Sequence, residues 1–217
     1  MVCCAGSCAA ESHFDSKRAE RDLRRYRRSG ADATTKLILA ELRRWPLEGR
    51  RLLDVGGGIG VIDVELADTR IASVILVEAS PAYLEVAQRE VKARYESRPT
   101  QFLLGDFATI ADTLPDADVV TLDRVVCCYA DAEALLRGAA ARTRQRLAFT
   151  YPRNRWYIRT MVAMENFWRR LTSSKFRAFV HSPQRMGAVL ESAGFVRSSH
   201  HDTFMWTLDL YSRGSAS

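Results

Sequence analysis

Five short apolar runs alternate with helical stretches between Arg51 and Pro152, and this alternation constrains the fold more than any other feature. The runs are RLLDV, SVILVEA, QFLLGDF, ADVVTLDRV and QRLAFTYP. Each has the length of a strand and is rich in branched or aromatic side chains. The segments between them carry helix signals. Ser80-Pro81 sets a capping hydroxyl before a proline and opens a helix through Lys92; a further helix runs from Asp131 to Arg144. Strands joined by helices predict a parallel sheet covered on both faces, because each parallel crossover needs a long connection.

Two helices precede the alternation. FDSKRAERDLRRYRR is capped by Asp15 and closed by Gly30. TTKLILAELRRW places Leu37, Ile38, Leu42 and Trp45 at helical spacing before Pro46. After the alternation, Arg155 to Leu171 reads as a helix with Trp, Tyr, Met and Phe all round it, which predicts burial on more than one side. Ser182-Pro183 opens another helix ending at Ala193-Gly194, and FVRSSHHDTFMWTLDLYSR reads as two strands with a short turn. The expectation is an α/β fold: a seven-stranded sheet, mostly parallel with an antiparallel terminal strand, helices on both faces and an N-terminal helical cap. Residues 1–11 are expected as a flexible segment, 12–46 as the cap and 47–217 as the main domain, with a helical insert over about 153–180.

A chain of 217 residues buries one full core. It has no uninterrupted apolar stretch of membrane-spanning length, and MVCCAGSCAAESH lacks the basic and apolar regions of a secretory signal, so the cytoplasm is expected. The cysteines are Cys3, Cys4, Cys8, Cys127 and Cys128, an odd number with two adjacent pairs, which argues against a disulfide framework. The first three have only His13 nearby, and no metal site is expected. The net charge is +6, and all 32 basic residues except Lys17, Lys36, Lys92 and Lys175 are Arg, concentrated at Arg18 to Arg28 and Arg142 to Arg177. Such clusters make a solvated basic face, a local anion site or an RNA-facing surface.

In an open α/β sheet the ligand lies at the carboxyl ends of the strands. The first strand ends in Asp54-Val55-Gly56-Gly57-Gly58-Ile59-Gly60. A phosphate-cradling Walker loop needs Gly-Lys-Ser/Thr, and Gly60-Val61-Ile62 offers none. A dinucleotide fingerprint counted from Gly56 requires its last glycine at Val61, and from Gly58 at Asp63. What fits is acidic-x-Gly-x-Gly-x-Gly, on Asp54, Gly56, Gly58 and Gly60. This resembles motif I of the class I S-adenosylmethionine (SAM)-dependent methyltransferases, over roughly Leu52 to Arg213.

The resemblance implies a Rossmann-like fold and SAM as cofactor, held by Asp54, Gly56, Gly57, Gly58 and Gly60. It implies Glu78, with Ala79 beside it, on the ribose hydroxyls; Asp106 on the adenine amine; Phe107 against the ring; and Asp123 beside the methionine portion. The chemistry of the cofactor agrees. SAM carries a sulfonium, an ammonium and a carboxylate but no phosphate, so its site needs close backbone approach and carboxylates.

The acceptor is less constrained. Methyl transfer is an in-line displacement with an excellent leaving group, so the protein positions and desolvates the acceptor and supplies a base only when the acceptor is protonated. The Asn/Asp-Pro-Pro-aromatic motif of amino-methylating enzymes is replaced by Leu122-Asp123-Arg124-Val125, and Cys127-Cys128 lacks the Pro-Cys context of cytosine-5 enzymes; both cysteines read as buried small residues. LDRVVCCYADAEALL, with the basic N-terminal helix, is similar to the magnesium-protoporphyrin O-methyltransferases and to uncharacterised bacterial relatives. Tyr26 could match the Tyr in their cap, while Cys128-Tyr129 replaces their His-Tyr pair, so the arrangement carries over rather than the substrate.

The acceptor pocket is expected between the cap and the insert, with Tyr26, Tyr129, Tyr151, Arg153 and His181 nearest, and with Tyr26, Tyr129 and His181 as the candidates for a base. Trp156, Tyr157, Trp168 and Phe176 line an aromatic pocket or fill core. His200-His201, on a strand pair with one solvent face, ranks lower. The leading expectation is methylation of a small molecule at O, N or S. The alternatives are an RNA or protein methyltransferase docking through Arg24, Arg25, Arg27 and Arg28, and a non-catalytic SAM-binding module.

Overall fold

A computed structural model of the chain describes residues 14–94, 98–172 and 174–214. The expected flexible segment 1–11, with Cys3, Cys4 and Cys8, lies outside the described residues. Strands β1 (Arg51–Val55), β2 (Ser73–Glu78), β3 (Thr100–Leu104), β4 (Ala117–Leu122), β5 (Thr143–Pro152), β6 (Phe195–Asp202) and β7 (Trp206–Arg213) form one sheet in the order β3-β2-β1-β4-β5-β7-β6. The first five are parallel to one another; β7 runs antiparallel to both β5 and β6. This is the expected seven-stranded α/β sheet.

The parallel strands are apolar on successive residues because each face is covered. Leu53, Val55, Val120, Leu122, Leu147 and Phe149 pack on one face beneath helices α6 (Ala132–Arg142) and α8 (Pro183–Ser192). Leu52, Val74, Val119 and Ala148 pack on the other against Ile38, Leu39 and Leu42 of α2 (Ala33–Arg43) and Ile62 of α3 (Val61–Glu65). Helix α2 stops at Arg43, short of the expected Trp45, because the residue before Pro46 is pushed out of helical geometry. Trp45 is instead held between the guanidinium groups of Arg50 and Arg146, at 4.7 and 4.8 Å.

Helix α1 (Ser16–Ser29) begins where the Asp15 carboxylate accepts the Arg18 amide at 2.8 Å, and Gly30 ends it at φ 73°. Its Ala19, Leu23 and Tyr26 pack on α3 and on α4 (Pro81–Arg94) through Val64, Tyr83 and Val86. Register then aligns the strand ends. Asp54 lies beside Leu76 and Thr121, and Glu78 beside Leu104, so the acidic residues that follow the strands gather along one edge of the sheet.

One element departs from expectation. Helix α7 (Trp156–Leu171) buries only Ile158, whereas Trp156 is 79 % and Trp168 61 % exposed. The aromatic residues round this helix do not pack into the core. One side roofs a cavity and the opposite side faces outward.

Candidate active site

The turn after β1 is shaped by three different demands on its glycines. Gly56 has φ 63°, and a Cβ there would stand 2.4 Å from Val125 Cγ2. Gly57 has ordinary backbone, but its Cβ would meet Leu76 Cγ at 2.5 Å and Asp54 Oδ2 at 2.8 Å. Gly58, at φ 59°, would direct a Cβ into open space, with only Tyr83 and the Gly56 carbonyl at about 4 Å. The turn therefore packs on its protein side and leaves room on the other.

Four acidic residues surround that room. Asp54 is fully buried; Oδ1 accepts from Thr121 Oγ1 at 2.6 Å and Oδ2 has no partner among the described residues. Burial, with repulsion from Asp123 and Glu78, pushes its carboxyl up to about 7 against the opposing Thr121 bond. Glu78 accepts from the Gly58 amide at 2.9 Å and the Ser80 amide at 2.8 Å, which ties the ends of β1 and β2 together. Burial raises its pKa too, and these amides oppose the rise. Asp123 accepts from Thr35 Oγ1 at 2.5 Å and Thr150 Oγ1 at 2.7 Å. Asp106 caps the short helix α5 (Phe107–Ile110), accepting from the Ala108 amide at 3.0 Å and from the Tyr129 hydroxyl at 2.6 Å. A cavity of about 500 Å³ runs past Gly56, Gly58, Glu78, Ala79, Asp106, Phe107 and Asp123 and on beneath α7. Asp54 and Gly57 line a smaller one of about 100 Å³ under the cap, which also meets Gly56, Gly58, Asp123 and Tyr26. Gly60 packs against Ala87 and Val91 of α4 and serves the turn rather than the cavity.

Residues 52–146 match the family described as methyltransferase domain. The chain carries a class I SAM-dependent methyltransferase domain. Its cofactor is SAM. No curated protein matches its sequence. Among solved structures it is similar to magnesium protoporphyrin IX methyltransferase of Synechocystis PCC 6803 with bound S-adenosylhomocysteine (SAH), at 18% identity and TM-score 0.75, over 94% of this chain and 98% of that one. An O-methyltransferase family protein of Burkholderia thailandensis is 16% identical with TM-score 0.71, over 95% of this chain and 63% of that one. A TehB-like SAM-dependent methyltransferase of Corynebacterium glutamicum is 14% identical with TM-score 0.64, over 92% of this chain and 98% of that one.

The far half of the methyltransferase's cavity is walled by Ile158, Met161, Val162, Phe176, Met205 and Trp206, together with the ion-paired Glu165 and Arg169. Of the aromatic residues expected there, only Phe176 lines it; Trp156 and Trp168 face outward, and Tyr157 packs on Phe204 at 5.8 Å. Tyr129 lines the cavity and donates its O–H to Asp106, and burial with that carboxylate raises the pKa of its phenol. Tyr26 donates to Glu65 at 2.8 Å beside the smaller cavity, and burial pushes its pKa up to about 12.

Three expected pocket residues are instead structural. Tyr151 is buried between strands, donating to Asp209 at 2.7 Å. Arg153 pairs with Asp202 at 2.7 Å and donates to the Thr203 carbonyl at 3.0 Å, fixing the β6–β7 turn. His181 bonds the Tyr129 carbonyl at 2.9 Å and braces that loop from behind, its pKa lowered by burial. His200 and His201 join Asp209 and Glu41, at 2.6 and 2.9 Å. Cys127 is buried as expected, while Cys128 is only partly so; both line the cavity, with their sulfurs 3.9 Å apart.

Sequence reasoning passed over Tyr83, Asp22 and Arg18, which line the cavity from α4 and α1, and Met205 and Trp206, which line it from the terminal hairpin. Tyr83 donates to Asp22 at 2.6 Å, closing the cap onto the body. The helical period of α1 was the available signal for Arg18, Asp22 and Arg25, which are four and three residues apart.

Proposed function

We propose that the glycine turn with Asp54, Glu78, Asp106 and Asp123 holds SAM and that the apolar half of the same cavity takes a small, largely apolar acceptor. The observation that carries this reading is the cavity of about 500 Å³ joining an acidic, glycine-floored end to a mostly apolar one whose only charges from α7 are the mutually paired Glu165 and Arg169. The acidic end fits the cofactor's charge. Repulsion from Asp123 and Glu78 adds to the burial that raises Asp54, a tension that a bound cation relieves. When bound, SAM supplies an electrophilic methyl group on a cationic sulfur.

This chain's own residues then position and dehydrate the acceptor. Ile158, Met161, Phe176 and Trp206 exclude water from the transfer end. The Tyr129 O–H is engaged by Asp106 and its pKa is raised, which favours an acceptor that reaches the methyl group already carrying a free lone pair. The basic α1 face is partly engaged within the chain, Arg25 with Asp32 at 3.0 Å and Arg27 with Glu90 at 2.6 Å, which lends less support to RNA docking.

Calorimetry with SAM and SAH tests the cofactor end. SAM is expected to bind with proton release near neutral pH, measured by comparing buffers of different ionisation enthalpy, and SAH with less, because it lacks the sulfonium charge. Absence of binding by either ligand would refute the site. Tyr129→Phe is expected to weaken SAM binding by roughly tenfold or more, the worth of one hydrogen bond to a carboxylate, and to leave the pH profile of transfer unmoved. A shifted profile would make Tyr129 a proton-transfer group after all. The acceptor is to be sought by screening apolar metabolite fractions with labelled SAM, and label appearing only in RNA or protein would reverse that part of the proposal.

A further inference from the structure

Helix α7 carries apolar side chains on two opposite sides. One side roofs the cavity through Ile158, Met161 and Val162. At about 100° per residue, Trp156, Met164, Phe167 and Leu171 fall together on the other, with Thr160 among them and Trp168 at the edge toward Met161. Phe167 is 58 % exposed, Leu171 61 %, and Phe204 on the neighbouring hairpin turn 76 %. Single exposed apolar residues are ordinary, but a continuous stripe of this size marks a docking surface.

The charges beside the stripe indicate what it meets. Arg155, Arg159 and Arg170 fall on one flank of the helix and are all exposed. Glu165 is the helix's one acidic residue, and it pairs with Arg169 on the cavity side. An apolar stripe of Trp, Phe and Leu edged by arginines and free of carboxylates is the composition of a helix lying in a lipid interface. A second copy of the chain offers the arginine flank no acidic residue from this helix, since Glu165 is engaged. Among the described residues no helix is long and apolar enough to cross a membrane, so the fitting geometry is lying on the surface.

We propose that α7 docks the methyltransferase on an anionic membrane surface, with Phe167 and Trp168 entering the interface and Arg159 and Arg170 meeting lipid headgroups. Helix α7, the roof of the cavity, then lies between the lipid and the cavity.

The test is co-sedimentation of the full chain with vesicles of phosphatidylcholine alone or mixed with phosphatidylglycerol. Binding is expected to the mixed vesicles, weakened by salt and accompanied by a blue shift of tryptophan emission. Phe167→Asp with Trp168→Asp is expected to lower partitioning at least tenfold. Arg159→Glu with Arg170→Glu is expected to lower it by roughly tenfold on mixed vesicles. None of these side chains touches the cavity, so SAM affinity is expected to stay unchanged in both variants, which also shows that they fold. Equal binding to both vesicle types, no binding, or binding indifferent to the substitutions overturns the proposal. So does a dimer in solution that Phe167→Asp disperses, since the stripe would then be an interface between copies.

Discussion

Gly56→Ala is expected to lower stability by about 2–5 kcal/mol and to weaken SAM binding by well over tenfold. Two costs add. A non-glycine residue in left-handed backbone costs roughly 1–2 kcal/mol, and Gly56 sits at φ 63°. The new methyl group would also stand 2.4 Å from Val125 Cγ2, and such overpacking typically costs about 1–3 kcal/mol. The turn that relaxes to relieve both is the same turn whose Gly58 amide is tied to Glu78, so stability and cofactor affinity fall together. Denaturant titration and calorimetry read the two effects. Adding Val125→Ala separates the costs: the double variant regains the packing loss and keeps the backbone strain. If Gly56→Ala alone behaves like the parent in both measurements, the turn is not the rigid floor described above.

Asp54→Asn is expected to stabilise the cofactor-free protein above neutral pH while crippling SAM binding. The sign follows from burial. An unfolded aspartate titrates near about 4, whereas in the fold burial pushes Asp54 up to about 7. The folded state therefore holds a proton that the unfolded chain has already released. Stability from this group is fully present below the unfolded pKa and is lost as pH rises through the folded one, at up to ~1.4 kcal/mol per pH unit in between. Asparagine keeps an acceptor for Thr121 Oγ1 and removes the charge, so the variant lacks that slope. Comparing denaturant midpoints of parent and variant from acidic to neutral pH cancels the contributions of all other groups. Parallel curves would mean that Asp54 is not held at a raised pKa. In the presence of SAM the order is expected to reverse, because the ligand's positive charge favours the ionised carboxylate.

The strands and the glycine turn were legible because their causes are local. Buried parallel strands need runs such as SVILVE, and a turn with three positive φ values needs glycine at Gly56, Gly58 and Gly60. The acidic strand ends were legible for the same reason, since each follows directly on an apolar run. What escaped was set by distant partners. Tyr151 shares its strand parity with Leu147 and Phe149, which sends it into the core, and only the fold shows which face that is. Arg153 finds Asp202 and His181 finds the Tyr129 carbonyl across long stretches of chain. Helix α7 is apolar on both sides, so periodicity cannot say which side meets the cavity and which faces outward.

The strand order carries a consequence for how the protein is made. β7 lies between β5 and β6, although it is the last strand of the chain. During synthesis the long strand Thr143–Pro152 therefore waits with an open hydrogen-bonding edge until Trp206–Arg213 emerges to fill the gap. The same segment brings Trp206 to the cavity wall. Without the segment Trp206–Arg213 both an adhesive sheet edge and a cavity with a missing side are left, so completion of the cavity coincides with removal of the aggregation hazard.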